Sequence, residues 1–239
     1  MTTANQRHAD AMASSAATER PILMNAAMVR ACLDDTKTQT RRVLRPQWPR
    51  TNTEPKEHSC SPGLWIAYTS DGKLRNGAGE AGGERRCPYG VVGDRLWVRE
   101  TFFESDEYDS KTDAFVTYYR ATDAGFFEPD HVLGWHWRPS IFMPRWVSRI
   151  TLEIISVRTE RLQDIKREDA KAEGVSNIWN WTPERNPDHH RRGVLNPYIA
   201  NYSVLWDEIH TGSLVGDGWN ANPWVWVIEF KRLETVHAS

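Results

Sequence analysis

Alternation of apolar and polar residues is clearest from Arg149 to Val157, where Ile150, Leu152 and Ile154 interleave with Thr151, Glu153 and Ile155. A period of two predicts a half-buried β-strand. A second alternating run, Arg95-Leu96-Trp97-Val98-Arg99-Glu100, sets Leu96 and Val98 on one face and Arg95, Trp97 and Arg99 on the other, after the turn residues Val92-Gly93-Asp94. Ala114 to Arg120 has the aromatic and β-branched content of a strand, and Pro21-Ile22-Leu23-Met24 reads as a short one. The run from Trp224 to Phe230 is apolar at nearly every position, which predicts a central strand covered on both faces.

Helical signals occur three times. Asn25 is an N-cap for a helix over about Ala26 to Asp34, with Ala27, Met28, Ala31 and Cys32 on one face. Asp164 is a candidate N-cap for a short charged helix from Lys166 to Glu173, with Gly174 just beyond its end. Asn196 and Pro197 occupy the N-cap and first positions of a helix whose Tyr198, Ile199, Tyr202, Leu205, Trp206 and Ile209 recur at helical spacing. Residues 1–20 are small, polar and aperiodic and read as a flexible tail; 46–86 and 177–193, dense in loop-forming residues, read as insertions. Short strands, three modest helices and no internal repeat predict one α+β domain over residues 21–235, a small mixed β-barrel with flanking helices and long loop insertions.

Composition narrows the class. A formal charge of -2 over 239 residues argues against a protein coated with basic residues for phosphate binding, although a local basic site stays open. Three cysteines, with no CxxC pair, suit a reducing cytosol better than a disulfide scaffold. No apolar run reaches the roughly 18 residues of a membrane span, so a cytoplasmic protein with no membrane partner is expected. Twelve tryptophans supply both core volume and surfaces on which bases can stack. No cofactor or metal is expected: His189 and His190 are adjacent and point apart, and no carboxylate cluster suits a two-metal nuclease.

Charge then singles out one stretch. Asp35 to Arg42 reads as a polar, hydroxyl-rich and basic turn, and between Lys37 and Arg50 lie Lys37, Arg41, Arg42, Arg45 and Arg50 with no acid. Solvated charges and turn formers would account for such a segment by themselves; so would an anion site.

The motif Leu33-Asp34-Asp35-Thr36-Lys37-Thr38-Gln39-Thr40-Arg41-Arg42 resembles the signature of ASCH domains, approximately G-x-K-x-x-[T or E]-x-R after a first helix. Ile165 to Gly174 resembles that family's second helix, and Trp226 to Lys231 its closing strand. The longer frame of Pro21-Ile22-Leu23, Gly93 to Glu100, Pro144-Arg145-Trp146 and Asn222 to Trp226 is similar to a group of bacteriophage and prophage proteins. The resemblance implies a PUA-like barrel. Asp35 stands where the family has glycine, a position that would tolerate positive φ.

Within that family the bacterial 4-acetylcytidine amidohydrolase cleaves an acylated exocyclic amine. Its lysine base, threonine nucleophile and glutamate acid fall by motif position on Lys37, Thr40 and Glu173. Such chemistry requires Lys37 to shed its proton, which burial and the neighbouring Arg41 and Arg42 would favour, and a desolvated Glu173 to keep one. Arg41, Arg42, Trp97, Arg99, Glu100, Arg145 and Trp146 are the candidates for binding substrate by ion pairing and stacking. The expected partner is a modified nucleoside or a nucleic acid, RNA or DNA. A non-catalytic RNA- or modified-DNA-binding module is the alternative, because the same basic and aromatic residues suit it equally well.

Overall fold

The computed structural model describes residues 17–48, 55–59, 61–67, 83–110, 113–125, 136–175, 196–210 and 216–234. Its largest sheet has five strands: β1 (Glu19–Leu23), β2 (Gln39–Val43), β6 (Arg95–Arg99), β9 (Thr151–Arg161) and β10 (Trp224–Leu233), in the order β1-β6-β9-β10-β2. The β1–β6 pair is parallel and the other pairs are antiparallel. Helix α1 (Ala26–Leu33) carries the chain from one edge of this sheet to the other. Among the described residues no ladder joins β1 to β2; Arg42 spans the two edges by donating from Nη2 to the Leu23 carbonyl at 2.6 Å. The architecture is therefore mixed α+β.

Alternation sorts the core into two layers. Trp226, Ile228 and Phe230 of β10 join Leu96, Val98, Leu152 and Ile154 in the larger cluster, closed by Val29 and Cys32 of α1 and by Trp48 and Trp65. Val225 and Val227 face the other way, against Leu162, Ile165 and Ala170 around α3 (Arg167–Ala172) and Tyr202 and Trp206 of α4 (Pro197–Ile209). Strand β10 is thus covered on both faces, as its apolar run predicts. No helix among the described residues is long and apolar enough to cross a membrane.

Several local expectations are met and several corrected. Asn25 caps α1 by accepting from the Met28 N–H at 2.9 Å, and Asn196 caps α4 by accepting from Tyr198 at 3.0 Å. The buried face of α1 is Val29, Ala31 and Cys32; Ala27 is exposed. The N-cap of α3 is Lys166, whose N–H donates to Asp169, while Asp164 lies in the preceding 3-10 turn. Arg20 does not belong to a loose tail: β1 begins at Glu19, and Asp94 accepts from the Thr18 N–H and the Arg20 guanidinium. Within the expected 46–86 insertion, β3 (Lys56–Glu57), β4 (Leu64–Ala67) and β5 (Gly83–Arg86) form a small sheet whose Trp65 seals the main core. A third sheet pairs β7 (Phe102–Asp109) with β8 (Ala114–Tyr119), followed by the single turn α2 (Arg120–Asp123). The sequence Phe-Phe-Glu-Ser-Asp-Glu-Tyr-Asp of β7 is too acidic to announce a strand. The 177–193 insertion, His189 and His190 lie outside the described residues.

Candidate functional site

The segment after α1 is a turn for only two residues. Asp34 is the C-cap, Asp35 takes the left-handed conformation at φ 54°, and Thr36 and Lys37 both donate their N–H to the Ala31 carbonyl at 2.9 Å. This is a helix end of the kind that normally uses glycine, and Asp35 adopts the left-handed conformation there in its place. Arg232 holds the Asp35 carboxylate through two contacts of 2.9 Å. From Lys37 the chain is extended: Lys37 bridges Glu173, the Thr38 N–H donates to Ala172 at 2.8 Å, and β2 follows. The expected polar turn over Asp35 to Arg42 is thus mostly strand.

Extension divides the candidate residues. Gln39, Arg41 and Val43 share one face of β2, and Thr40 and Arg42 the other. Thr40 lies opposite Ile228 and Arg42 opposite Trp226, both in the larger core, whereas Arg41 lies opposite Val227 on the side covered by α3 and α4. Lys37 turns to Glu173, its Nζ donating to Glu173 Oε2 at 2.8 Å, to the Glu173 carbonyl at 2.9 Å and to the Gln39 carbonyl at 2.7 Å. Three acceptors use the three N–H donors of an ammonium. The structure therefore brings Lys37 and Glu173 together and places Thr40 elsewhere, buried on the opposite face of β2.

Arg41 extends the pair into a network. It reaches Glu173 Oε1 at 3.3 Å, Glu160 at 2.9 Å and Asp169 at 3.4 Å. Burial disfavours its charge, but Glu173, Tyr202, Glu160 and Asp169 outweigh that and raise its pKa. Arg158 completes the set against Asp169, Glu160 and Glu229, and donates to Gln39 Oε1 at 3.3 Å. The side chains of Lys37 and Arg41 are 0% exposed and that of Glu173 is 2% exposed. Gly174, at φ 78°, is part of the same seam: a Cβ there would come within 2.7 Å of Ala31 Cβ and 2.9 Å of Lys37 Cβ. Arg158 and Glu160 are absent from the sequence-derived set because β9 was expected to end at Val157 and runs to Arg161; their signal was the continued alternation of charge at 158 and 160. Asp169, on α3, reads in the sequence only as one of the charges of a short helix.

Among the described residues the basic run is consequently no open anion site. Lys37 and Arg41 are buried and paired, Arg42 reaches the Leu23 carbonyl through Nη2, and Arg45 pairs with Asp217. Arg50 lies outside the described residues.

The remaining candidates fall into two places. Glu100 is 2% exposed and receives two bonds from Arg149, at 2.9 and 3.0 Å, while that guanidinium stacks 3.9 Å from the centre of the Tyr119 ring. Burial, partly offset by Arg149, raises the Glu100 carboxyl above its ordinary value. Trp97, Arg99 and Arg145 instead share the outer face of β1 and β6. Arg99 sits 5.2 Å from the Trp97 ring centre and donates to the Met143 carbonyl at 2.9 Å. Arg145 crosses that face to Glu19 at 2.8 Å and Thr151 at 3.2 Å, and Trp146 beside it is 73% exposed.

No family model matches the chain, and no curated protein or solved structure matches it either. Among the described residues no cluster of three or more His, Cys, Asp or Glu is arranged to hold a metal. Burial pushes the Cys32 and Cys87 thiols up to about 11, which makes poor nucleophiles of both. A cavity of about 660 Å³ opens beside His58, Pro62, Val91 and Val92, and none of the sequence-derived site residues is among its described lining.

Proposed function

We propose that the protein is a nucleic-acid-binding module of PUA-like type, acting on RNA or modified DNA inside the cell, with the Lys37–Glu173–Arg41 network as its structural clasp. The observation that carries this reading is the separation of Thr40 from a Lys37 whose three donors are already taken. With the buried network closed, the accessible chemistry is the outer face of β1, β6 and β9. There Arg95, Arg99 and Arg145, with Lys231 of the neighbouring β10, stand against Glu19 and Glu153, an excess of positive charge beside Trp97 and Trp146. Guanidinium groups next to aromatic rings suit phosphate and base together.

Fluorescence anisotropy of labelled oligonucleotides tests it. Binding should weaken steeply with salt, and Arg99→Ala should lower both affinity and the salt slope. Absence of any salt-sensitive binding to RNA or DNA sinks the proposal.

A second reading, amidohydrolysis of an acylated nucleoside, is favoured by one contact, the 2.8 Å pair of Lys37 Nζ and Glu173 Oε2 at the positions that match the family's base and acid. It demands that Lys37 release an acceptor and that Thr40 reach the same side of β2. Chromatographic assay of 4-acetylcytidine and related acylated nucleosides decides: turnover abolished by both Lys37→Ala and Thr40→Ala would establish this reading over the first.

A further inference from the structure

Resting on the binding reading, we infer that the bound polymer is single-stranded and that its bases stack on a platform formed by residues 141–146, which adds Ile141 and Phe142 to the candidate Trp146. Ile141, Phe142 and Trp146 are 54%, 59% and 73% exposed, and Leu23, on the adjoining β1 edge, is 43% exposed. Large apolar side chains gathered on one short segment call for an explanation that core packing does not give.

The segment is built to hold them outward. Two 3-10 turns, Ser140–Phe142 and Arg145–Val147, are closed by the Met143 N–H to the Ser140 carbonyl at 3.1 Å and the Ser148 N–H to the Arg145 carbonyl at 3.1 Å. Between the exposed positions, Met143 and Val147 plug into a cluster with Phe102 and Tyr119, at 0% and 4% exposure. Arg99 fastens the Met143 carbonyl, and the Tyr119 hydroxyl donates to the Val147 carbonyl at 2.9 Å. A platform fixed this way loses little freedom on binding.

Charge complementarity selects nucleic acid over an apolar protein surface. Arg145, next to Trp146 in the chain, and Arg95 on the adjoining strand share the single carboxylate of Glu19, and Arg99 lies over the Trp97 ring, so positive charge exceeds negative charge beside the apolar segment. Single strands are selected over duplex because an exposed indole needs an open base face. No helix or two-stranded ribbon of this segment projects to enter a groove.

The test uses the full chain with a labelled mixed-sequence 12-nucleotide single strand, as RNA and as DNA, and the matching blunt duplex. The single strand should bind more tightly than the duplex. Trp146→Ala and Phe142→Ala should each weaken single-strand binding about tenfold or more with an unchanged melting temperature, and leave the weaker duplex binding unchanged. Equal binding of duplex and single strand, or full affinity in both variants, overturns the platform while the binding module stands. Absence of binding to all three overturns both. Concentration-dependent self-association abolished by Trp146→Ala, without oligonucleotide binding, assigns the patch to a second copy of the chain and overturns the inference.

Discussion

Glu173→Gln keeps the shape of the side chain and removes its charge from between two cations that water does not reach. Lys37 and Arg41 are 0% exposed at the side chain, and both contact the Glu173 carboxylate, at 2.8 and 3.3 Å. Removing one member of a buried ion pair costs about 3–5 kcal/mol, because the partner is left charged and unsolvated. The lower end applies here. Lys37 retains the Gln39 and Glu173 carbonyls, and Arg41 retains Glu160 and Asp169. A loss of about 3 kcal/mol corresponds to a fall in melting temperature of about 6–12 °C for a chain of this size.

Urea denaturation of the wild type, Glu173→Gln, Lys37→Met and the double variant closes a thermodynamic cycle. Removing both charges should return at least half of the loss, since a neutral pair in the same space is often as stable as the ionic one. Each variant alone should destabilise. A Glu173→Gln protein within about 1 kcal/mol of wild type, or additive single effects, would refute the clasp. A stabilised Glu173→Gln would point instead to a strained catalytic acid, the outcome the amidohydrolase reading expects.

Two carboxylates near the ends of the first sheet give further predictions. Asp35, at φ 54°, should accept glycine within about 0.5 kcal/mol, whereas Asp35→Ala should lose about 1 kcal/mol in urea denaturation; the exposed Arg232 pair adds little, and an alanine variant more stable than the glycine one refutes the assignment. At Asp94, burial raises the carboxyl's pKa, but the Thr18 and Val91 N–H groups and Arg20 outweigh it and hold the value below the ordinary one. A lowered folded value means stability present above the unfolded pKa of about 4 and lost as pH falls through the folded one. The stability gap between wild type and Asp94→Asn should therefore be constant near neutrality and close in acid; a gap that is unchanged by pH contradicts the linkage.

Period and capping made the sheet legible. Leu96, Val98, Leu152 and Ile154 are buried as their alternation requires, and Asn25, Asn196 and Pro197 mark helix starts that form where they stand. Partner choice was not legible. Arg42 reaches a carbonyl 19 positions away, Lys37 a carboxylate 136 away and Arg41 one 119 away, and nothing local distinguishes such pairs from solvated surface charges. Of the short strands of 56–86, β3 (Lys-Glu) and β5 (Gly-Glu-Arg-Arg) were hidden by charge and glycine, whereas the apolar Leu64-Trp65-Ile66-Ala67 of β4 did carry a strand signal, masked only by the loop-forming residues around it, and Trp65 packs on Trp226 with ring centres 6.1 Å apart.

Spacing explains why the motif is persuasive and the geometry divided. Residues three apart meet on a helix or across a turn, but on a strand they point to opposite faces. Lys37 and Thr40 are three apart, and the chain between them is extended, fixed by the Thr38 N–H to Ala172 and the Phe230 N–H to the Thr38 carbonyl at 2.9 Å. Rotating Thr40 toward Lys37 would break the β2–β10 register and move Arg42 away from Trp226. What the same backbone does permit is a firm seam: Gly174 admits Lys37 beneath the end of α3, Glu173 takes its charge, and Arg41 ties both to β9 through Glu160. That seam fixes β2 at the edge opposite β1, and takes Lys37 and Arg41 out of reach of solvent, so a ligand of the kind proposed would have to meet the outer face of β1 and β6 instead.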